Sequence, residues 1–142
     1  MTLSSPFSLQ TFYKNEGLRI IPITELKLDD IERFGTLDHG FEDIPFFPSW
    51  KEFYLRSIGK ESKYPDYMAF VLRRNDENPP IGVLAVQVMN YEQIKTKVIV
   101  ALPKIEKYLY LSWIALEKQY HSLNYFAVLF DFYQSLIRKL RK

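Results

Sequence analysis

The run YLYLSWIALEKQYHSLNYFAVLFDFYQSLIRKL, residues 108–140, decides the fold class of this chain. Residues 108–116 are almost all apolar or aromatic, which predicts a β-strand, and we expect that strand to be central in its sheet. From about Asn124 onward, apolar residues recur every three or four positions, which predicts an amphipathic helix running to the end of the chain. A strand that leads into a long helix indicates a sheet with helices packed against it.

The apolar positions of this last helix form one stripe. Its members are Phe126, Phe130, Tyr133, Ile137 and Leu140, with Leu129 and Leu136 widening it. Because such a stripe is normally buried against a neighbouring element, we expect it to face the core. Arginine and lysine cluster in residues 138–142, where cations suit the negative end of the helix dipole.

Two shorter helices are predicted from their end signals. Asp29 is placed to cap the first of them and Gly35 to close it. Ser49 and Glu52 have the spacing of a capping box for the second, and Gly59 is a plausible stop. Apolar residues then recur at helical spacing: Ile31 and Phe34 in the first helix, and Trp50, Phe53, Tyr54 and Ile58 in the second.

The remaining strands are indicated by short β-branched runs. LRIIPI, residues 18–23, predicts a strand, and Pro22 favours an edge position or the strand end because it cannot donate a hydrogen bond. YMAFVLR (67–73) and PIGVLAVQVM (80–89) predict an antiparallel pair, joined by the turn-rich RNDENPP. Residues 90–107 are ambiguous, with a possible short strand at 98–102. Strands and helices in this order predict a mixed sheet flanked by helices.

The composition excludes several classes of protein. With 142 residues, 47% of them hydrophobic, the chain is long enough for one domain, which we expect to span 1–142 with 1–16 as a loose lead-in. A formal net charge of only +2 gives no case for nucleic-acid binding. Because cysteine is absent, disulfides and thiolate metal sites are excluded, and a cytoplasmic setting is favoured.

Signals for targeting and for several chemistries are also missing. The first residues lack the basic and apolar regions of a signal peptide, and no apolar run approaches the roughly 20 residues of a membrane span. The chain has only two histidines and no HExxH spacing, so we expect no metal site. No P-loop, GxSxG or GxGxxG motif supports an NTPase, hydrolase or dinucleotide-binding interpretation.

Three segments carry a resemblance to a known family. They are LRIIPITELKLDDIERF (18–34), MAFVLRRNDENPPIGVLAVQV (68–88) and YLSWIALEKQYHSLNYFAVLFDFYQSLIRKL (110–140). In this order they resemble the first strand and helix, the second and third strands, and the cofactor motif of the GNAT superfamily of acyl-CoA N-acyltransferases. The resemblance runs from about Leu18 to the C-terminus. It implies an α+β fold with a mostly antiparallel mixed sheet flanked by helices.

The resemblance also implies acetyl-CoA as the co-substrate. The family loop, Q/R-x-x-G-x-G/A, aligns with QYHSLNYF at residues 119–126, and a second register starts at His121; neither contains a glycine. Backbone N–H groups at a helix N-terminus bind phosphate oxygens whatever the side chains. The alternative is that Ser122 and Asn124 merely cap the helix. The resemblance places the cofactor contacts at Ile114, Leu116, Gln119, His121, Ser122, Leu123, Asn124, Tyr125 and Phe126.

Candidate catalytic residues lie on and after the strand at 108–116. A backbone N–H near Ile114 would polarise the thioester carbonyl, and a general base would take a proton from the amine. Tyr110 and Ser112 lie where a side chain could face the substrate, with ordinary strand residues as the alternative interpretation. Glu117 is the nearest carboxylate, although it follows the strand end and can equally be a solvated charge.

The acceptor side of the site is predicted in the loop TLDHGFEDIPFFP, residues 36–48. Asp38, Glu42 and Asp43 would attract a cationic amine, whereas the alternative is a solvated loop held by its aromatic residues. His39 beside Asp38 gives little support for a metal or a base.

The chain stops at Lys142, whereas the family fold continues with another strand, a helix and a hairpin. We therefore expect a GNAT-like fold that is incomplete at its C-terminus. Two functional hypotheses follow. One is an N-acetyltransferase that acts on a small-molecule or protein amine. The other is a non-catalytic GNAT-like module that binds a completing protein partner or forms a homodimer, because an exposed strand edge favours pairing with another chain.

Overall fold

A computed structural model describes residues 18–34, 41, 44–59, 63–74, 79–99, 101–103, 105–121 and 125–140. The four strands are β1 (Arg19–Pro22), β2 (Tyr67–Arg73), β3 (Gly82–Met89) and β4 (Tyr108–Leu116). The helices are α1 (Leu28–Phe34), α2 (Trp50–Ser57), α3 (Tyr91–Ile94) and α4 (Tyr125–Leu140), with 3-10 turns at Ile23–Glu25 and Lys118–Tyr120. The fold is therefore α+β, as the sequence predicted.

The strands form one antiparallel sheet in the order β1-β2-β3-β4. Every residue of β2 and β3 is buried, because these two strands have a neighbour on each side and a layer of helix on each face. β1 lies at one edge, and its last residue, Pro22, pairs with Phe70. The predicted position of Pro22, at the end of an edge strand, is confirmed, since a residue without an N–H is tolerated there.

Helices cover both faces of the sheet. On one face, buried residues of α1 and α2, such as Phe34 and Phe53, pack with Val71 and Ala85 of the central strands. On the other face, α4 packs its buried side chains against residues such as Phe70, whose ring contacts Phe132 edge to face at 4.9 Å. The sheet is therefore the middle layer of three, which is why its central strands are apolar on both sides.

The ends of α2 follow the predicted signals in part. Ser49 accepts a hydrogen bond from the backbone N–H of Glu52 at 3.0 Å, so Ser49 is the N-cap as predicted. The Glu52 side chain instead pairs with Arg56 at 3.3 Å. After the helix, Gly59 has φ +82°, a left-handed conformation that glycine adopts without a Cβ penalty.

The helix α1 begins at Leu28, close to the predicted start at about Asp29, but the capping role predicted for Asp29 is wrong. Asp29 lies inside the first turn, where its charge still suits the helix dipole. Gly35, the predicted stop, lies outside the described residues. Ile31 and Phe34 face inward, as expected.

Residues 90–107 contain a short helix instead of the strand considered at 98–102. Asn90 and Gln93 form a reciprocal capping box at the start of α3, a local signal for a helix that is present in the sequence. Residues 98–99 and 101–102, the described part of the considered strand, have no regular structure. Ile99 is fully exposed, so β-branched residues are not evidence of a buried strand in this segment.

β4 was predicted to be central, and this is wrong for the sheet that the described residues form. β4 pairs only with β3 in that sheet and is half-buried from Tyr108 to Ile114. Its apolar sequence is explained by helix packing on its faces, because hydrophobicity reports burial of the faces and carries no information about the number of hydrogen-bonded neighbours.

The buried face of α4 also differs from the prediction. The buried residues are Tyr125, Val128, Leu129, Phe132 and Leu136. Leu129 and Leu136 of the predicted set are therefore buried as expected, whereas its other members are half-buried or, at Phe130, 46% exposed. The helix is apolar around most of its circumference, so the sequence permits several orientations. Contact with the sheet selects one of them and leaves Tyr133, Ile137 and Leu140 beside the outer edge of β4, which no strand of the described residues pairs with; we call it the free edge.

The aromatic cluster under α2 yields a stability test. Phe53 is fully buried and contacts Trp50, Phe47 and Trp113 through ring centroids 5.5 to 6.4 Å apart. We expect Phe53→Ala to lower the free energy of unfolding by about 3–5 kcal/mol, because it leaves a cavity between α2 and the sheet. Urea unfolding followed by circular dichroism measures this change.

The matched control is Phe46→Ala, because Phe46 is 94% exposed. It should change the free energy of unfolding by less than about 0.5 kcal/mol. Equal losses in the two variants would show that the cluster does not hold α2 on the sheet.

Candidate functional site

A β-bulge interrupts the pairing of β3 with β4. Ala85 pairs with Trp113 and Val86 with Leu111, so Ser112 is an extra residue without a partner on β3. Trp113 packs on the α2 side of the sheet, and Ser112 lies beside Tyr67 on that same side. The bulge thus directs two consecutive side chains to one face, an arrangement that re-aims side chains and is frequent next to active sites.

Beyond the bulge, every second backbone N–H of β4 points away from β3. The Glu117 N–H donates to the carbonyl of Ile81 at 2.8 Å, so residue 117 faces β3. Successive residues of a strand face opposite sides, which turns Leu116 and Ile114 toward the free edge. In agreement, the Leu116 carbonyl accepts a hydrogen bond from His121 Nε2 at 2.6 Å, which requires the tautomer protonated at Nε2.

Ile114 consequently presents its N–H at the free edge, close to the bulge. A backbone N–H fixed in a strand needs no reorganisation to hydrogen-bond an incoming carbonyl oxygen. This is the position where the sequence analysis expected a donor for a thioester carbonyl. The edge of β4 is therefore able to bind an extended ligand and to polarise a carbonyl group on it.

A polar cluster lies on the α2 side of the bulge. The Tyr67 hydroxyl is buried beside Arg56 and Ser112, although it makes no hydrogen bond of regular geometry within the described part of the chain. Burial raises the pKa of the Tyr67 phenol, and the neighbouring Arg56 and Ser112 only partly oppose this effect. The Arg56 guanidinium stacks on Tyr64 at 4.1 Å. Tyr67 therefore stays protonated at neutral pH and can donate a hydrogen bond.

Two of the three predicted catalytic residues lie near this cluster. Tyr110 is half-buried and pairs with Gln87 of β3, and Ser112 is the bulge residue. Glu117 lies five residues beyond Ser112, or about 16 Å along a strand, so the structure does not bring the three together. The Glu117 carboxylate accepts a hydrogen bond from the Gln119 side chain instead.

The predicted cofactor loop is described only at its two ends. Gln119 lies in the 3-10 turn and is exposed, while Tyr125, the first residue of α4, is buried and stacks on Tyr120 at 5.6 Å. His121 and Phe126 lie together, with ring centroids 5.4 Å apart. Six further predicted residues lie outside the described part of the chain: Ser122, Leu123 and Asn124 of the loop, and Asp38, Glu42 and Asp43 of the acceptor side.

A groove of about 870 Å³ follows the edge of β4 that has no strand neighbour within the described residues; we call it the edge groove. It lies between the first half of β4, the second half of α4 and the segment after α3. Its walls include Ile94, Val98, Leu111, Tyr133, Ile137 and Leu140. Sequence reasoning missed the edge groove, although a signal was present: the apolar stripe of α4 contains more residues than one buried face needs.

Tyr133 connects the two main walls of the edge groove. Its hydroxyl donates to the Leu109 carbonyl at 2.6 Å, and burial raises the pKa of the Tyr133 phenol. This bond shows that α4 runs back along β4, from Tyr125 beyond the strand end toward the strand start. The helix N-terminus and the edge groove thus lie near opposite ends of the same strand.

Comparison with protein-family models, with curated proteins and with solved structures finds no match to this chain. Within the described residues, no helix is long and apolar enough to cross a membrane. Over the same ranges, no group of three or more histidine, cysteine, aspartate or glutamate side chains is arranged to hold a metal ion.

The buried Tyr67 phenol yields a test of pH dependence. Its pKa is raised in the folded state, whereas an unfolded tyrosine titrates near 10. Below about pH 10 the Tyr67 phenol is protonated in both the folded and the unfolded state. Above that pH the unfolded state loses its proton first. The contribution of Tyr67 to the free energy of unfolding therefore falls as the pH rises toward the folded-state pKa. We expect Tyr67→Phe to weaken the loss of stability between pH 9 and 11 (roughly one unit either side of that value).

Urea unfolding at a series of pH values measures this effect. Tyr54→Phe, a half-buried tyrosine on α2, controls for the removal of a phenol as such. An alkaline loss of stability as steep in Tyr67→Phe as in the unaltered chain would contradict the assignment.

Proposed function

We propose that this chain is an acyl-CoA-dependent N-acyltransferase of the GNAT type, which transfers an acetyl group from acetyl-CoA to an amine. The observation that carries the proposal is the N–H of Ile114, which faces the free edge of β4 next to a bulge. The order of a fourth strand followed by a long helix, which the sequence resemblance led us to expect, supports the proposal. An edge donor of this kind suits a thioester carbonyl and is not needed for packing.

In the proposed reaction, Ile114 donates its N–H to the thioester oxygen and stabilises the negative charge that develops there. The neutral amine attacks the carbonyl carbon, the carbon–sulfur bond breaks, and the CoA thiolate leaves with the proton that the amine loses. Ser112 at the bulge, and Tyr110 between the bulge and the edge groove, are proposed to orient the amine and to pass on this proton. Glu117 is too far along the strand to act directly at the bulge.

The phosphates of the co-substrate are proposed to lie at the N-terminus of α4. This helix has 16 residues, so its dipole and its free N–H groups favour an anion at that end. Its first turn follows β4 closely in the chain and places the phosphates beyond the strand end, on the far side of Ile114 from the edge groove. Gln119, His121 and the loop up to Phe126 are the proposed contacts.

The proposed setting is the cytoplasm, with a small-molecule or protein amine as acceptor and Asp38, Glu42 and Asp43 as its attracting charges. The second candidate function is a non-catalytic module that pairs through β4 with a second copy or with a completing partner. Within the described residues no strand pairs with the outer edge of β4, which favours this candidate, since unpaired strand groups are a template for another strand.

The Ile114 N–H can be removed selectively. In Ile114→Pro the chain keeps a side chain but loses this donor, and proline is tolerated where the N–H of an edge strand points outward. We expect the acetyl-transfer rate to fall by about a hundredfold or more, the usual effect of losing one oxyanion donor. Ile114→Ala, which shortens the side chain and keeps the N–H, should retain most of the rate.

Calorimetric titration with CoA and acetyl-CoA, followed by a screen of amine acceptors, supplies the assay. Circular dichroism of both variants shows whether the fold is kept. A folded Ile114→Pro variant with an unchanged rate would exclude the proposed donor. A folded, unaltered chain that binds neither CoA nor acetyl-CoA would exclude the acyltransferase and leave the non-catalytic module.

A further inference from the structure

The edge groove lies along β4 between the proposed reaction site and the start of the strand. Ile114 lies toward the end of β4, and the first groove-lining residue met on going back along the strand is Leu111, three residues or about 10 Å away. Leu109, Tyr110 and Tyr108 extend the same wall toward the strand start. A molecule held by its phosphates at α4 and by its carbonyl at Ile114 would therefore point its far end into the edge groove.

The walls of the edge groove are suited to an apolar chain. Its volume of about 870 Å³ falls in the range of small-molecule sites. Val98, Leu111, Ile137 and Leu140 supply aliphatic surface, while Glu106 and Lys107 are the charged residues of the lining. These two are exposed residues of opposite sign, so they add little net charge and do not select an ionic ligand.

The hydrogen bond of Tyr133 argues against a β-strand as the occupant. Val88 donates its N–H to Asp66 on its β2 side, so its partner on β4, Leu109, faces the free edge. A strand added at this edge would need the Leu109 carbonyl, which already accepts the Tyr133 hydroxyl at 2.6 Å. The Tyr133 ring also occupies the space beside that carbonyl. A hydrocarbon chain needs no hydrogen bond and fits this edge without displacing Tyr133.

We propose that the edge groove binds the hydrocarbon tail of a medium- or long-chain acyl-CoA, which makes such a fatty acyl group the one transferred. This inference rests on the acyltransferase function proposed above, and it replaces the acetyl donor of that proposal with a longer acyl-CoA. Since carbon–carbon bonds near 1.5 Å advance an extended chain by about 1.3 Å each, about eight carbons reach Leu111 from the carbonyl. About twelve reach Leu109, some 16 Å from Ile114.

Titration of the full chain with CoA, acetyl-CoA, octanoyl-CoA and dodecanoyl-CoA tests the proposal. We expect similar, weak binding of CoA and acetyl-CoA and progressively tighter binding of the two longer thioesters. Each methylene buried in the edge groove should tighten binding by a factor of about three to four. All titrations stay below the concentration at which the longer thioesters form micelles.

A charged side chain in the wall of the edge groove tests whether the groove binds the hydrocarbon tail. Ile137→Arg should bind CoA like the unaltered chain but lose the preference of at least tenfold for dodecanoyl-CoA over acetyl-CoA. Gln134→Arg adds the same charge at an exposed position of α4 and should keep that preference. If Ile137→Arg does not fold, Ile137→Trp, which fills the groove without a charge, replaces it with the same expectation.

The other outcomes separate the two proposals. Binding of CoA with no gain from the longer chains would overturn the fatty-acyl inference and leave the acyltransferase in place. Failure of every thioester and of CoA to bind would overturn both. Sedimentation analysis identifies the rival occupant: a dimer that Ile137→Arg dissociates, together with no gain from chain length, would assign the edge groove to a second copy of the chain.

Discussion

The pairing of β3 with β4 is the constraint on which the candidate site depends. β3 is buried on both faces and hydrogen-bonded on both sides, so it provides a rigid reference for its neighbour. The one-residue bulge at Ser112 then sets which side chains of β4 face α2 and which backbone groups face the free edge. Without it, Trp113 would point to the α4 side and leave the aromatic cluster under α2 without one wall.

The two sides of β4 carry different chemistry for this reason. The α2 side brings the buried Tyr67 hydroxyl next to the half-buried Arg56 and Ser112, with the Arg56 guanidinium stacked on Tyr64. The α4 side is almost entirely aliphatic and aromatic, and the Tyr133 hydroxyl there donates a hydrogen bond to the Leu109 carbonyl. In the proposed reaction, the polar acceptor would approach the Ile114 N–H from the α2 side and the acyl chain would lie along the edge groove.

Much of the fold was predictable because its signals are local. The bounds of β2 and β4, the antiparallel hairpin of β2 with β3, and the Ser49 cap follow from short runs of residues and from turn chemistry. Two wrong predictions concern neighbours, namely the central position of β4 and the buried line of α4, while the capping role of Asp29 was wrong by its position within one helix. The candidate site was found from the sequence only in part, since Ser112 and Ile114 were named but Tyr67, Arg56 and the edge groove were not.

The sequence by itself determined that this chain has an α+β fold, with helices packed on a β-sheet, because periodicity and turn residues act over a few positions. It also determined that a long apolar helix follows the last strand. Only the tertiary structure decided that β4 lies at the sheet edge, that Ser112 bulges, and that part of the α4 stripe lines a groove. These features depend on register and on which surfaces meet, and contacts between residues far apart in the chain set both.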